Sequence, residues 1–155
     1  MAYERINWED YPNITTPINA YNLNRMDECI YNNDIYISKF TPVLLYSNTS
    51  GTNGTITLSQ PYTDFSRIGV YAQGQYDNSS VYNEMYTSIN YMTLACSSAA
   101  DSNYDCTVWR TAFINFSEDT ITFATNCSSS YHSTAGYNIG TNDGLKITRV
   151  VGYKY

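Results

Sequence analysis

From Pro42 onward, apolar residues recur at every second position, and clusters of Gly, Asn, Asp and Ser interrupt the runs. That is the period of a strand, whose successive side chains point to opposite faces. Ile68, Val70 and Ala72 share one face of the run that begins at Arg67. Val108, Arg110, Ala112, Ile114 and Phe116 share one face of the run 107–116, with Trp109, Thr111, Phe113 and Asn115 on the other. In the closing run 145–155, Leu145, Ile147, Arg149 and Val151 stand opposite Thr148, Val150 and Gly152. Further runs lie at 43–47, 55–58, 85–96 and 120–124. Many short strands with turn residues between them predict a mainly β protein, an antiparallel β-sandwich. The polar stretches 48–54, 73–83, 97–105 and 126–143 are predicted as turns and loops, and the last three are long enough to carry function.

Before Pro42 the period is different. Residues 1–18 hold Pro12 and Pro17 and read as an extended leader, with Trp8 and Tyr11 as aromatic anchors. From Asn19, a plausible N-cap, the chain is free of Gly and Pro, and the spacing predicts a helix over about 19–38. Leu23, Met26, Ile30, Asn33, Ile37 and Phe40 fall at alternating intervals of three and four. That is a heptad seam with one polar member, suited to packing against copies of itself; an ordinary amphipathic helix lying on the next domain fits too. The organisation expected is therefore 1–41, leader plus helix, followed by a β domain over 42–155.

Composition narrows the function. Charged residues are 14%, well under the usual share of about 25%. Their place is taken by 17 Tyr, 17 Asn and 34 Ser plus Thr. With 8 Lys and Arg against 14 Asp and Glu, and no basic cluster, nucleic-acid binding is not expected. No apolar run approaches the ~20 residues that cross a bilayer, so no membrane insertion is expected. The first residues carry no secretion signal, which predicts synthesis in a cytoplasm. The cysteines, Cys29, Cys96, Cys106 and Cys127, form no CxxC pair, and His132 is the only histidine, so no metal site is expected. A Cys96–Cys106 bridge across the 97–105 loop and four free thiols are both compatible with the sequence. Six glycosylation sequons, at Asn13, Asn48, Asn53, Asn78, Asn115 and Asn126, are close to what so much Asn, Ser and Thr yields by chance.

The N-terminal quarter carries a more specific pattern: Ile6-Asn7-Trp8-Glu9-Asp10-Tyr11-Pro12, then Thr16-Pro17-Ile18-Asn19-Ala20-Tyr21-Asn22-Leu23-Asn24-Arg25-Met26-Asp27. It resembles the start of tail-fibre and baseplate receptor-binding proteins of tailed bacteriophages. More loosely, Phe65-Ser66-Arg67-Ile68-Gly69-Val70 and the closing strand resemble the heads of such proteins. The resemblance implies a jelly-roll-like sandwich head and a homotrimer held by the helix. It also implies attachment to other tail or baseplate proteins through residues 1–40, with Trp8 and Tyr11 as anchors. The place of action would be the virion tail, and the task recognition of the host surface. Unlike longer members, this chain has no shaft between leader and head.

Chemistry that would make an enzyme is thin. His132 sits in a polar stretch, and no serine has nucleophile-elbow context. Glycoside hydrolysis needs two opposed carboxylates, and the candidates Asp64, Asp77, Glu84, Asp101, Asp105, Glu118, Asp119 and Asp143 lie mostly in turn sequences. Asp101 to Asp105 lacks the glycine and terminal glutamate of a calcium loop. No catalytic residue and no cofactor is expected; a glycan-degrading tip enzyme and a purely structural tail component are the alternatives. The composition favours binding. A sugar offers an apolar C–H face to an aromatic ring and hydroxyls to Asn, Asp, Ser and Tyr. The candidate ligand-binding residues for a cell-wall or capsular glycan are Tyr76, Asp77, Asn78, Tyr82, Asn83, Tyr104, Tyr131, His132 and Tyr137.

Overall fold

Helix α1 runs from Ala20 to Phe40. Pairs four residues apart line its surface: the Arg25 guanidinium lies 5.6 Å from the Tyr21 ring, and Tyr36 and Phe40 approach at 4.8 Å between ring centres. Pro42 cannot continue the helix, and Thr41 closes it. The Thr41 amide and hydroxyl both donate to the Ile37 carbonyl at 3.1 Å. This computed structural model describes residues 20–75, 79–99, 106–132, 136–141 and 144–154. The leader, with Trp8, Tyr11 and the cap position Asn19, lies outside the described residues. Met1–Thr41 forms one compact unit and Pro42–Tyr155 a second.

The second unit is a sandwich of two antiparallel sheets. The first sheet has the order β1-β9-β3-β4, built from Val43–Thr52, Leu145–Tyr153, Arg67–Gly74 and Ser80–Tyr86. The other sheet contains β5 (Tyr91–Ala99), β6 (Cys106–Ser117), β7 (Thr120–His132), β8 (Gly136–Thr141) and the two-residue β2 (Ile56–Thr57). Its order is β2-β7-β6-β5, with β8 also pairing β7, so β5 to β8 form a meander. The alternation read from the sequence selects the inward residues of β3 and β6; in β9 a shift of register against β3 between Tyr71 and Ala72 brings Ile147 and Val150, expected on opposite faces, both into the core and leaves Arg149 exposed. Ile68, Val70 and Ala72 of β3 and Ile147 and Val150 of β9 pack in one core with Leu94 of β5 and Ala112 and Ile114 of β6. Several of these are wholly buried, each worth about 1.5–3 kcal/mol against leaving it in water.

A buried amide fastens the two sheets at one end. Asn126 of β7 donates to the Leu145 carbonyl at 2.8 Å and accepts from the Leu145 amide at 2.7 Å. Its side chain thus does the work of a missing strand neighbour. Gly144 must precede Leu145 for this to fit: a Cβ there would meet Asn126 Oδ1 and lie 2.8 Å from the Cys127 carbonyl oxygen. The sequon asparagine at 126 is therefore a core residue.

Four further segments differ from the sequence reading. β1 continues through Asn48 to Thr52, with an irregularity in its pairing to β9 and Gly51 at φ +70°. The run 85–96 is broken at Thr87, whose hydroxyl donates to the Phe65 carbonyl at 2.6 Å; the chain crosses there from β4 to β5. Ser80–Tyr86, expected in a loop, is β4, and the expected loop 126–143 contains the second half of β7 and all of β8. The reason is pairing: Ser128, Ser129 and Ser130 are held by β6 on one side and β8 on the other.

The thiol question resolves in the register. Cys96 stands opposite Arg110, four residues along β6 from Cys106. At about 3.3 Å per residue that is roughly twice the span a disulfide bridges. Cys96 is a free thiol, 3.4 Å from the Ser79 hydroxyl, and Cys29 and Cys127 are free as well.

Candidate functional site

Alternation in β5 to β8 sorts side chains into an inner set, which builds the core, and an outer set, which forms one face of the sheet. The outer set has a distinctive chemistry. Across one register row stand Ser97, Trp109, Ser129 and Ile139; across the next stand Thr107, Tyr131 and Tyr137. Further along the face, Tyr91 and Phe113 stack with ring centres 5.4 Å apart. The rings are open to solvent: Trp109 is 44% exposed, Tyr131 52%, Tyr137 63% and the Ile139 side chain beside them 62%. A shallow depression of about 270 Å³ opens beside the indole, lined by Ala95, Cys96, Ser97, Trp109, Arg110 and Thr111. Trp109 and Tyr131 are held by strands on both sides and Tyr137 by β7 on one, so the rings stand on a paired sheet. Diagonal neighbours such as Trp109 and Tyr131 lie within about 7–8 Å at the backbone, which lets their rings present a joint surface.

This face carries no charge among the described residues. Between Arg67 and Lys146 the sequence holds one Lys or Arg, Arg110, and it points inward, buried, with Nη1 donating to the Ser98 hydroxyl at 3.0 Å. What the platform offers is ring faces and a comb of Ser and Thr hydroxyls.

The outer face of the first sheet is different. Arg67 pairs with Glu84 at 2.6 Å and lies over the Tyr153 ring, 4.7 Å from its centre. The Tyr82 hydroxyl donates to Glu84 and lies 3.1 Å from the Tyr153 hydroxyl. The Tyr82 ring also packs on Tyr71 at 4.3 Å, and Arg149 covers Tyr71 from 5.4 Å. Gly69 makes this possible, because a Cβ there would sit 2.6 Å from the Tyr82 hydroxyl and 2.9 Å from its ring. Desolvation by this packing, then the bond to Glu84 and the contact with Tyr153, push the Tyr82 phenol far above the usual tyrosine range.

The sequence-derived candidates distribute unevenly over this frame. Tyr76, Asp77, Asn78 and Tyr104 lie outside the described residues. Tyr131 and Tyr137 come together as opposite partners on β7 and β8, with the backbone of His132 next to them in β7. Tyr82 is on the other sheet, on β4 rather than in a loop, and belongs to the network just described. Asn83 bridges the sheets by donating to the Thr93 carbonyl at 3.0 Å. Trp109, which was not among the ligand-binding candidates, is on the open platform rather than in the core of the sandwich. The signal for it was present: the alternation of 107–116 sets Trp109 on the face opposite Val108, Ala112 and Ile114.

Of the described carboxylates, Glu84 is paired with Arg67, Glu118 and Asp119 form the exposed β6–β7 turn, and Asp64 lies in the short helical turn 62–64. No group of three or more His, Cys, Asp or Glu able to hold a metal ion occurs among the described residues. No described helix is long and apolar enough to cross a membrane.

On α1 the seam residues Met26, Ile30, Ile37 and Phe40 are exposed, Met26 and Ile37 by more than 60%, and Asp27 of the N-terminal pattern is buried.

Comparison of the chain with protein-family models and with curated proteins returned no match.

Proposed function

We propose that this chain is a host-surface recognition protein of a tailed-bacteriophage tail or baseplate, binding a glycan on the outer face of β5–β8. The observation that carries the reading is the group of solvent-open rings Trp109, Tyr131 and Tyr137, in two adjacent register rows of paired strands and flanked by Ser and Thr hydroxyls. Rings of this kind take the C–H faces of sugars, and hydroxyls exchange hydrogen bonds with theirs. A tyrosine restrained in a strand loses little conformational freedom on binding. The N-terminal pattern supports the virion setting, with residues 1–41 as the attachment segment.

Single sites of this type are weak, and repetition would compensate. The exposed seam of α1 supports a homotrimer, which would present three platforms and gain by avidity. In light scattering the 17.6 kDa protomer then appears at about three times its mass, and Ile30→Asp with Ile37→Asp returns it to monomer.

The test is binding of fluorescently labelled full-length protein to a panel of whole bacteria. The reading expects at least one strain to bind, with binding lost in Trp109→Ala/Tyr137→Ala. A double variant that still binds as the parent does contradicts the site. Absence of binding to any cell, with stable association to purified tail proteins, would make the chain a structural component.

A further inference from the structure

We infer that the ligand of the β5–β8 face is an uncharged, extended sugar chain, laid across the strands over Trp109, Tyr131 and Tyr137; this rests on the recognition reading above. Charge is the first argument. The sequence from 68 to 145 contains one Lys or Arg, the buried Arg110, while Asp101, Asp105, Glu118, Asp119 and Asp143 fall in the segments that join β5 to β6, β6 to β7 and β8 to β9. A carboxylate, sulfate or phosphate pressed onto this face would shed water and meet no exposed Lys or Arg among the described residues, since the Arg110 that borders the depression is buried and donates to Ser98. The net charge of −6 adds a general repulsion of anions. A neutral sugar suffers neither cost. Its hydroxyls meet Ser97, Thr107, Thr111 and Ser129, which can each donate and accept.

Shape is the second argument. Trp109 and Tyr137 are two strands apart and one register row apart, since Tyr137 faces Tyr131 and Ile139 lies in the row of Trp109. At about 4.8 Å per strand and ~3.3 Å per residue, the rings span roughly 12 Å. That is longer than one sugar ring. The site is a sheet face with a shallow depression, not an enclosed pocket, so it holds a chain from one side and does not grip a chain end. The occupant that fits is a polysaccharide segment with flat, apolar ring faces.

The experiment is electrophoresis of the full chain through native gels containing soluble polysaccharide. Laminarin, mannan, arabinogalactan and a hydroxyethyl cellulose form the neutral set; alginate, polygalacturonate and a wall teichoic acid form the anionic set. The inference expects retardation by at least one neutral polymer. That retardation changes little between about 0.05 and about 0.5 M NaCl, because no ion pairing is involved. It weakens on the order of tenfold in Trp109→Ala and in Tyr137→Ala, and less in Trp109→Phe. Oligosaccharides of the retarding polymer compete better as they lengthen, up to the span of the platform. Retardation only by anionic polymers, falling steeply with salt, overturns the neutral assignment and leaves glycan binding standing. Retardation by neutral polymers that survives both alanine substitutions overturns the location. Cell binding that no polysaccharide of either set competes away overturns the glycan reading itself.

Discussion

The two outer faces of one sandwich use tyrosine in opposite ways. On the first sheet, Tyr71, Tyr82 and Tyr153 are engaged with Arg67, Glu84 and Arg149, so rings and charges satisfy one another. On the second, Trp109, Tyr131 and Tyr137 stand open with hydroxyl residues between them and no exposed Lys or Arg among the described residues of that face. The two faces share a core, so the difference does not come from burial. It comes from where the sequence places its few charges. An aromatic-rich surface closes on itself where Arg and Glu alternate with the rings, and remains available where only Ser and Thr do. The proposed recognition function assigns a ligand to the face whose rings its own surroundings leave uncovered.

Removing the support common to both faces should have the largest effect. Asn126→Ala leaves the amide and carbonyl of Leu145 without their partner inside the protein. A loss on the order of 3 kcal/mol is expected from chemical denaturation, with both faces failing together. If only one face were disturbed, the sandwich would not be a single cooperative unit. Next in size is Trp109→Ala, which should weaken glycan or cell binding by about tenfold while the denaturation midpoint moves by less than about 1 kcal/mol. The mirror experiment on the other face is Arg67→Ala. It removes the pair with Glu84 and the cover over Tyr153, both only partly shielded, and should cost about 1 kcal/mol with binding unchanged. Together these two variants separate a recognition face from a self-satisfied one, and equal effects on binding would erase the distinction.

A titration sharpens the contrast. The phenol of Tyr82 is raised above its unfolded value, so the folded state resists losing that proton. The stability this contributes is fully present below the ordinary tyrosine value near 10 and is lost as pH rises beyond it, when the unfolded chain ionises first. Denaturation measured from neutral to strongly alkaline pH should show that loss, and Tyr82→Phe should make it shallower. The smallest effect is at Glu118, which turns the β6–β7 hairpin at φ +49°. Glu118→Gly should gain up to about 1 kcal/mol by relieving that backbone, and touch neither face.

Most of the sandwich was legible in the period-two pattern, because one-sided burial writes itself into a strand as alternation. What was illegible is instructive. Ser128, Ser129 and Ser130 and the segment 136–141 hold few apolar residues, and nothing local distinguishes them from a loop. They are strands because β6 and β8 satisfy the backbone of 128–130 from both sides and β7 pairs with 136–141, a long-range fact. Tyr82 was misplaced for the same reason: β4 has weak alternation and is fixed by its pairing to β3. Tyr131 and Tyr137 were legible as candidates by residue type, but their meeting across β7 and β8 depends on a register no spacing announces. Trp109 is the reverse case. Its face was written in the alternation, and the general habit of burying tryptophan argued against it.

The most direct measurement uses the chain's two tryptophans, Trp8 and Trp109. In full-length protein carrying Trp8→Phe, all indole emission comes from Trp109. Titration with the polysaccharide that the gels identify should shift that emission to shorter wavelength, as the sugar displaces water from the ring, with a midpoint matching the binding curve. Saturable binding of that polysaccharide with the Trp109 emission unmoved would contradict the account, since the ligand would then lie on another part of the molecule.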